Sequence, residues 1–208
     1  MQAPSPQRLK LIRLTVFLLA LLPLLRVVWL GFQDRLGANP IEFVTRASGD
    51  WTLYFLCLTL AITPLRRLTG FGWLLRLRRM LGLYTFFYAC LHFLCFIWFD
   101  HFFDLQEMWR DVIKRPFITM GFSAFVLLVP LAATSTDRMM RRLGRRWGML
   151  HRLIYLIAVL AILHFWWMRA GKNNFADPLM FGAIVAVLLG ARIVHRWREL
   201  QRSRPAAS

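Results

Sequence analysis

The sequence predicts an all-α, polytopic membrane bundle of six transmembrane helices with both termini in the cytoplasm. Three observations carry that prediction. The chain is 58% hydrophobic and only 18% charged, too apolar for an ordinary soluble domain of 208 residues. Apolar runs long enough to cross about 30 Å of hydrocarbon recur along it, separated by short polar stretches. Lys and Arg gather in alternate connections, nineteen on one bank, where Asp137 and Glu199 are the only acids, against seven on the other, where eight acids lie. The positive-inside rule assigns the richer bank, which includes both ends of the chain, to the cytoplasm.

The first run, Leu11 to Phe32, is longer than the apolar region of a removable signal, carries Arg13 and Arg26, and has no small-residue cleavage site after it, so it stays as a span. Pro23 lies well inside it and should kink it. The second, Trp51 to Leu65, is short and must borrow flanking residues; Pro64 at its cytoplasmic end is placed to terminate it, as Pro130 is for the fourth span. The third, Met80 to Phe99, follows the basic group Arg66, Arg67, Arg76, Arg78 and Arg79. Between Asp100 and Arg115, apolar residues recur at near-helical spacing among acids, which predicts an amphipathic helix lying on the outer surface. The fourth span is Phe117 to Ala133, and the fifth, Trp147 to Met168, follows the cluster Arg138 to Arg146. The sixth, Pro178 to Val194, runs into a basic tail. Eight of the nine tryptophans fall near span ends, as an interfacial belt requires.

With no linker and no internal repeat, residues 1–208 read as a single domain whose ends, 1–10 and 199–208, are flexible cytoplasmic tails. The net charge of +17 is accounted for by topology and by contact with anionic headgroups of the lipid bilayer, so nucleic acid is not an expected partner. Cys57, Cys90 and Cys95 lie within apolar runs without a CxxC spacing and read as core packing.

Histidines carry the functional signal. An ionisable side chain at bilayer depth marks a function by default, and imidazole is the usual axial ligand of b-type haem. His92 lies thirteen residues beyond Arg79 on the third span, and His164 thirteen beyond His151 on the fifth. These two spans run parallel, from the cytoplasm outward, so His92 and His164 reach similar depth, about 20 Å from the inner boundary. They are the expected axial pair of one haem nearer the outer face. Two imidazoles leave no coordination position open, which suits electron transfer. His151 sits at the inner end of the fifth span, facing Arg78, Arg79 and Met80 rather than a histidine. A pentacoordinate haem, ligation by Met80, and a flavin held by these arginines are all open there. On an ideal helix His151 and His164 would point about 140° apart. Arg78, Arg79, Arg145 and Arg146 are candidate partners for haem propionates or a flavin phosphate. Arg26, inside the first span, either snorkels to the outer headgroups, which is favoured, or meets a propionate or a quinone. His101 and His195 lie outside the hydrocarbon and read as structural.

These residues sit among stretches with a recognisable pattern: Leu36-Gly37-Ala38-Asn39-Pro40, Ile62-Thr63-Pro64-Leu65, Arg78-Arg79-Met80-Leu81-Gly82-Leu83 leading to His92, and Arg115-Pro116-Phe117. Thr134-Ser135-Thr136 and Leu143-Gly144-Arg145-Arg146-Trp147 then run into His151, Tyr155 and His164. In this the chain closely resembles, over nearly its whole length, the haem-binding membrane subunits of bacterial periplasmic methionine-sulfoxide reductase systems, within the ferric-reductase-like transmembrane group. The resemblance implies an inner-membrane cytochrome with b-type haem, one or two per chain, and bound FMN. It implies that electrons pass from the quinone pool, or from a cytoplasmic flavin reductase, to a periplasmic molybdopterin enzyme that repairs methionine sulfoxide in oxidised proteins. The family's haem histidines carry over onto His92, His151 and His164. Eukaryotic ferric reductases have a second histidine in the third span and a cytoplasmic FAD/NADPH domain; this chain has neither, so its donor is a separate molecule and substrate chemistry belongs to the partner. The competing readings are a self-contained ferric or metal reductase, disfavoured by a closed bis-histidine haem and short outer loops, and a non-redox membrane scaffold.

Overall fold

A computed structural model describes residues 4–171 and 173–202. Lys172 and Arg204 of the charge count, and the outermost parts of the two expected tails, lie outside the described residues. The described residues form helices and turns only. Helix α1 spans Pro6–Phe32, α2 Pro40–Thr69, α3 Leu75–Cys95, α4 Leu105–Lys114, α5 Pro116–Ala133, α6 Asp137–Leu143, α7 Arg145–Leu150, α8 Leu153–Ala170 and α9 Ala176–Arg202.

Helix starts follow local chemistry. The Ser5 side chain accepts from the Arg8 N–H, and Pro6 occupies the first turn of α1. Asn39 caps α2 by accepting from the Glu42 N–H at 3.1 Å, with Pro40 next in line. Asp104 accepts from Gln106 and Glu107 to open α4, and Thr136 accepts from Met139 to open α6. At the far end of α2, Gly70 takes a left-handed φ of 73° and returns its N–H to Arg66 O, a conformation in which a Cβ would be strained.

Among the described residues five helices are long and apolar enough to cross a membrane: α1, α3 with its flanking turns, α5, α7 continued by α8, and α9. Of the six spans expected, the second is absent from this set. Helix α2 is 30 residues long, about 45 Å at helical rise, but its apolar stretch is bounded closely by Asp50 and Arg66. The flanks that the short second run had to borrow are therefore polar ones. Exposed leucines along α1, among them Leu11, Leu14, Leu18, Leu22 and Leu25, form the kind of surface hydrocarbon covers.

Pro64 does not terminate α2, contrary to expectation; the helix continues to Thr69. A proline deprives the carbonyl four residues back of its donor, here Leu60 O, and Arg192 of α9 supplies one from its Nη2. An outside guanidinium thus takes over the hydrogen bond the helix lost. Pro23 lies within α1, and nearby carbonyls of that helix, Phe17 O and Ala20 O, accept from the Tyr84 and Tyr88 hydroxyls of α3 at 2.8 and 2.7 Å. The expected amphipathic helix is present as α4, with Leu105, Trp109 and Ile113 forming an exposed stripe at i, i+4 and i+8.

The closest helix pairs are α2 with α3 and α5 with α8. One buried cluster joins α1, α2 and α3 through Ala20, Phe55, Leu81, Tyr84 and Tyr88. The other joins α2, α5, α8 and α9 through Leu56, Leu60, Leu128, Ile157, Ala158 and Val185. The bundle is in effect two tight pairs set against each other, with a seam between α3 and α8.

Candidate functional site: an imidazole pair at the helix seam

His92 projects from α3 and His164 from α8 into this seam, their ring centroids 6.1 Å apart and their planes at 76°. Each ring is oriented by the partner within its own helix pair. His92 Nδ1 lies 2.9 Å from Thr45 O of α2, and His164 Nδ1 2.7 Å from Phe117 O of α5. A carbonyl only accepts, so in both rings Nδ1 carries the proton and Nε2 keeps its lone pair. Such an outer hydrogen bond is the usual arrangement behind a metal-bound histidine, fixing tautomer and ring direction together.

Two glycines let the rings lie against the neighbouring helices. A Cβ built on Gly121 would stand 2.7 Å from His164 Nδ1 and 2.9 Å from its Cε1; one on Gly49 would stand 3.0 Å from His92 Cε1. No alanine fits at 121 unless His164 moves, and Gly49 is only slightly less restrictive. Ser48 also approaches His92 Nδ1 at 3.4 Å while giving its own proton to Val44 O or Thr45 O.

The residues present fit a bis-imidazole iron. A metal–imidazole bond is about 2 Å, and a ring nitrogen lies about 1 Å from its ring centre, so two imidazoles on one ion have centroids about 6 Å apart. Two imidazoles at that spacing, each with Nδ1 against a carbonyl and Nε2 left free of a proton, would suit one metal between them. No cluster of three or more His, Cys, Asp and Glu side chains with metal-site geometry occurs among the described residues, so a metal here would take its remaining ligands from a macrocycle.

A cavity of about 550 Å³ is lined in part by Arg26 of α1, by Arg46, Asp50, Trp51 and Tyr54 of α2, and by Arg169, five residues beyond His164 on α8. Arg26 is thus part of a cavity wall.

The third histidine stands apart. His151 ends α7, and a turn at His151 and Arg152 separates it from α8, so it and His164 are not on one continuous helix. Its ring stacks on Trp147 at 3.9 Å, its Nδ1 donates to Trp147 O at 3.1 Å, and its Nε2 is 3.5 Å from Ser135 Oγ. Trp147 is itself pinned by Nε1 donating to Thr134 O. Arg78 is within electrostatic reach of His151 and of Arg192, whose guanidinium covers the Tyr155 ring at 5.6 Å. Arg79 is turned away into an exposed ion pair with Asp137 at 2.6 Å, and Arg145 and Arg146 are exposed. Of the four arginines singled out by sequence beside His151, Arg78 alone is half-buried. His101 is buried against the Phe96 ring, 3.5 Å from Asp111, at the base of α4.

Sequence reasoning missed Thr45, Gly49, Phe117, Gly121, Arg169 and Arg192. A glycine inside an apolar helix and an arginine five residues past a candidate ligand were the only signals available for them.

Known proteins are similar to this chain over most of its length. The family model for the ferric reductase like transmembrane component matches residues 48–162, from the serine beside His92 to just short of His164. The chain is similar to the protein-methionine-sulfoxide reductase heme-binding subunit MsrQ of Herminiimonas arsenicoxydans, 62% identical over 98% of this chain and 94% of that one. It is similar also to the MsrQ subunits of Ralstonia nicotianae, 60% identical over 93% and 89%, and of Bordetella parapertussis, 58% identical over 88% and 89%. No solved structure matches significantly.

Proposed function

This chain belongs to the ferric reductase-like transmembrane family, among its MsrQ haem-binding subunits, and from that premise we propose that it is a b-type cytochrome carrying electrons through a bacterial membrane to a periplasmic methionine-sulfoxide reductase. It is a multi-pass membrane protein with a haem electron-transfer role. The observation that carries the proposal is the pair His92 and His164, 6.1 Å apart with both Nδ1 atoms committed to carbonyls.

In this reading His92 and His164 would hold one haem. When bound, the haem supplies a one-electron iron couple and no open coordination site. Thr45 and Phe117 carbonyls keep each Nε2 unprotonated and so able to take a metal; Gly49 and Gly121 leave the rings room; the apolar seam excludes water. A closed coordination sphere does no substrate chemistry, so reduction of the sulfoxide falls to the partner, a molybdopterin enzyme on the outer side. This disfavours the self-contained metal reductase.

Six spans follow if α2, embedded between α3 and α9, crosses with them, and the basic connections then place both termini in the cytoplasm and the imidazole pair near the outer face. Electrons come in at the inner end, about 20 Å from His164, near His151, Arg78 and Arg192. An anionic redox group, a flavin phosphate or the propionates of a second haem, suits the arginines there; the donor is quinol or a cytoplasmic flavin reductase. Reduced protein mixed with the periplasmic reductase and methionine sulfoxide is expected to reoxidise, tracked by loss of the reduced b-haem bands. Absence of those bands in the purified protein would sink the electron-transfer reading, and bands without reoxidation would point to another acceptor.

A further inference from the structure

The outer cavity holds a donor without an acceptor. Arg169 lies on α8 five residues beyond His164, about 7.5 Å further out by helical rise. Its side chain is 14% exposed; Nη2 donates to Asp177 at 3.3 Å and the guanidinium covers the Phe165 ring at 5.5 Å. Its Nε is buried with no hydrogen-bond partner. A buried guanidinium N–H left unpaired in an apolar bundle is costly, and the residue lines a cavity. The opposite wall is α2, where Arg46 and Asp50 face the cavity and the neighbouring Thr45 and Gly49 hold His92. The cavity is therefore flanked by α2, which orients His92, and by α8, which carries His164; three guanidinia and two carboxylates line it, Glu42 pairing with Arg46, while Arg169 pairs with Asp177 beside it.

We propose that this cavity receives the propionate carboxylates of the haem held by His92 and His164, with the Arg169 Nε–H as the principal donor and Arg46 as the second. The inference rests on that ligation. A planar carboxylate matches a guanidinium edge, and the bond is charge-assisted, so its contribution exceeds that of a neutral hydrogen bond. Because Arg169 is already ordered by Asp177 and Phe165, it has little to reorganise when the carboxylate arrives.

The test compares two porphyrins in the full-length, haem-depleted protein in detergent: haem, and haem dimethyl ester, which keeps the iron and loses the carboxylates. Binding is read from the low-spin absorbance. Wild type is expected to favour haem by about tenfold or more, and Arg169→Gln to remove most of that preference while retaining a low-spin spectrum. Equal affinity of wild type for the two porphyrins, or an undiminished preference in Arg169→Gln, overturns the assignment. The wild-type comparison needs no variant, so a folding defect in Arg169→Gln cannot hide the answer. Added phosphatidylglycerol should leave the preference unchanged; its collapse would assign the cavity to a lipid phosphate instead. Failure of wild type to form a low-spin species with either porphyrin would instead overturn the ligation by His92 and His164.

Discussion

At the scale of single residues, what orients His92 and His164 lies on other helices. Counting from basic span starts was enough to bring the two rings to one depth, because α3 and α8 rise in parallel and each residue adds about 1.5 Å. The carbonyls of Thr45 and Phe117, and the glycines against which the rings rest, were not legible, since they belong to α2 and α5 and a glycine in an apolar run has many explanations. They nonetheless set how sensitive the site is. Gly121→Ala puts a methyl 2.7 Å from His164 Nδ1, so it should turn the ring and cut haem content at least several-fold, with membrane insertion intact. Gly49→Ala, whose nearest approach is 3.0 Å, should do so less. Haem per chain in matched preparations checks the order, and full occupancy in Gly121→Ala would remove the glycine from the account.

At the scale of elements, the instructive departure is Pro64. Proline near a span end reads as a stop, and the local sequence contains nothing to contradict it. The rescue comes from Arg192, more than a hundred residues away, donating to the Leu60 carbonyl that Pro64 leaves unpaired. Arg192→Leu should lower stability in detergent by about 1–3 kcal/mol, the cost of an orphaned buried acceptor. Pro64→Ala in that background should recover part of it by restoring a backbone donor at position 64, so the pair should be non-additive in denaturant titrations. Strict additivity would show that the contact does not support the helix. Tyr88→Phe, which removes the hydroxyl bonded to Ala20 O, should cost about 1 kcal/mol and loosen α1 from α3. The break at His151 was likewise invisible to periodicity, because apolar spacing continues through it while the backbone turns.

At the scale of the whole molecule, the helical class and multi-pass character were legible from apolarity alone, whereas α2 resists a composition rule because its polar flanks do structural work. Glu42 and Arg46 pair at its outer end, and Arg46 and Asp50 line the outer cavity. The basic asymmetry predicts that cysteines introduced at Ser5 and Gln201 are shielded from a membrane-impermeant thiol reagent in intact cells, and that one at Gly37 reacts. Reaction at either terminus would reverse the topology and put the imidazole pair at the wrong face. Across the seam, the two tight helix pairs each bring one imidazole with its own carbonyl and glycine, so neither pair makes the site alone.

The most direct measurement is the low-spin haem spectrum, with haem quantified per chain, of His92→Ala, His164→Ala and His151→Ala beside the parent protein. The first two should each abolish the same low-spin signal, and His151→Ala should retain it. Full retention of that signal in either His92→Ala or His164→Ala would contradict the axial pairing on which the account rests.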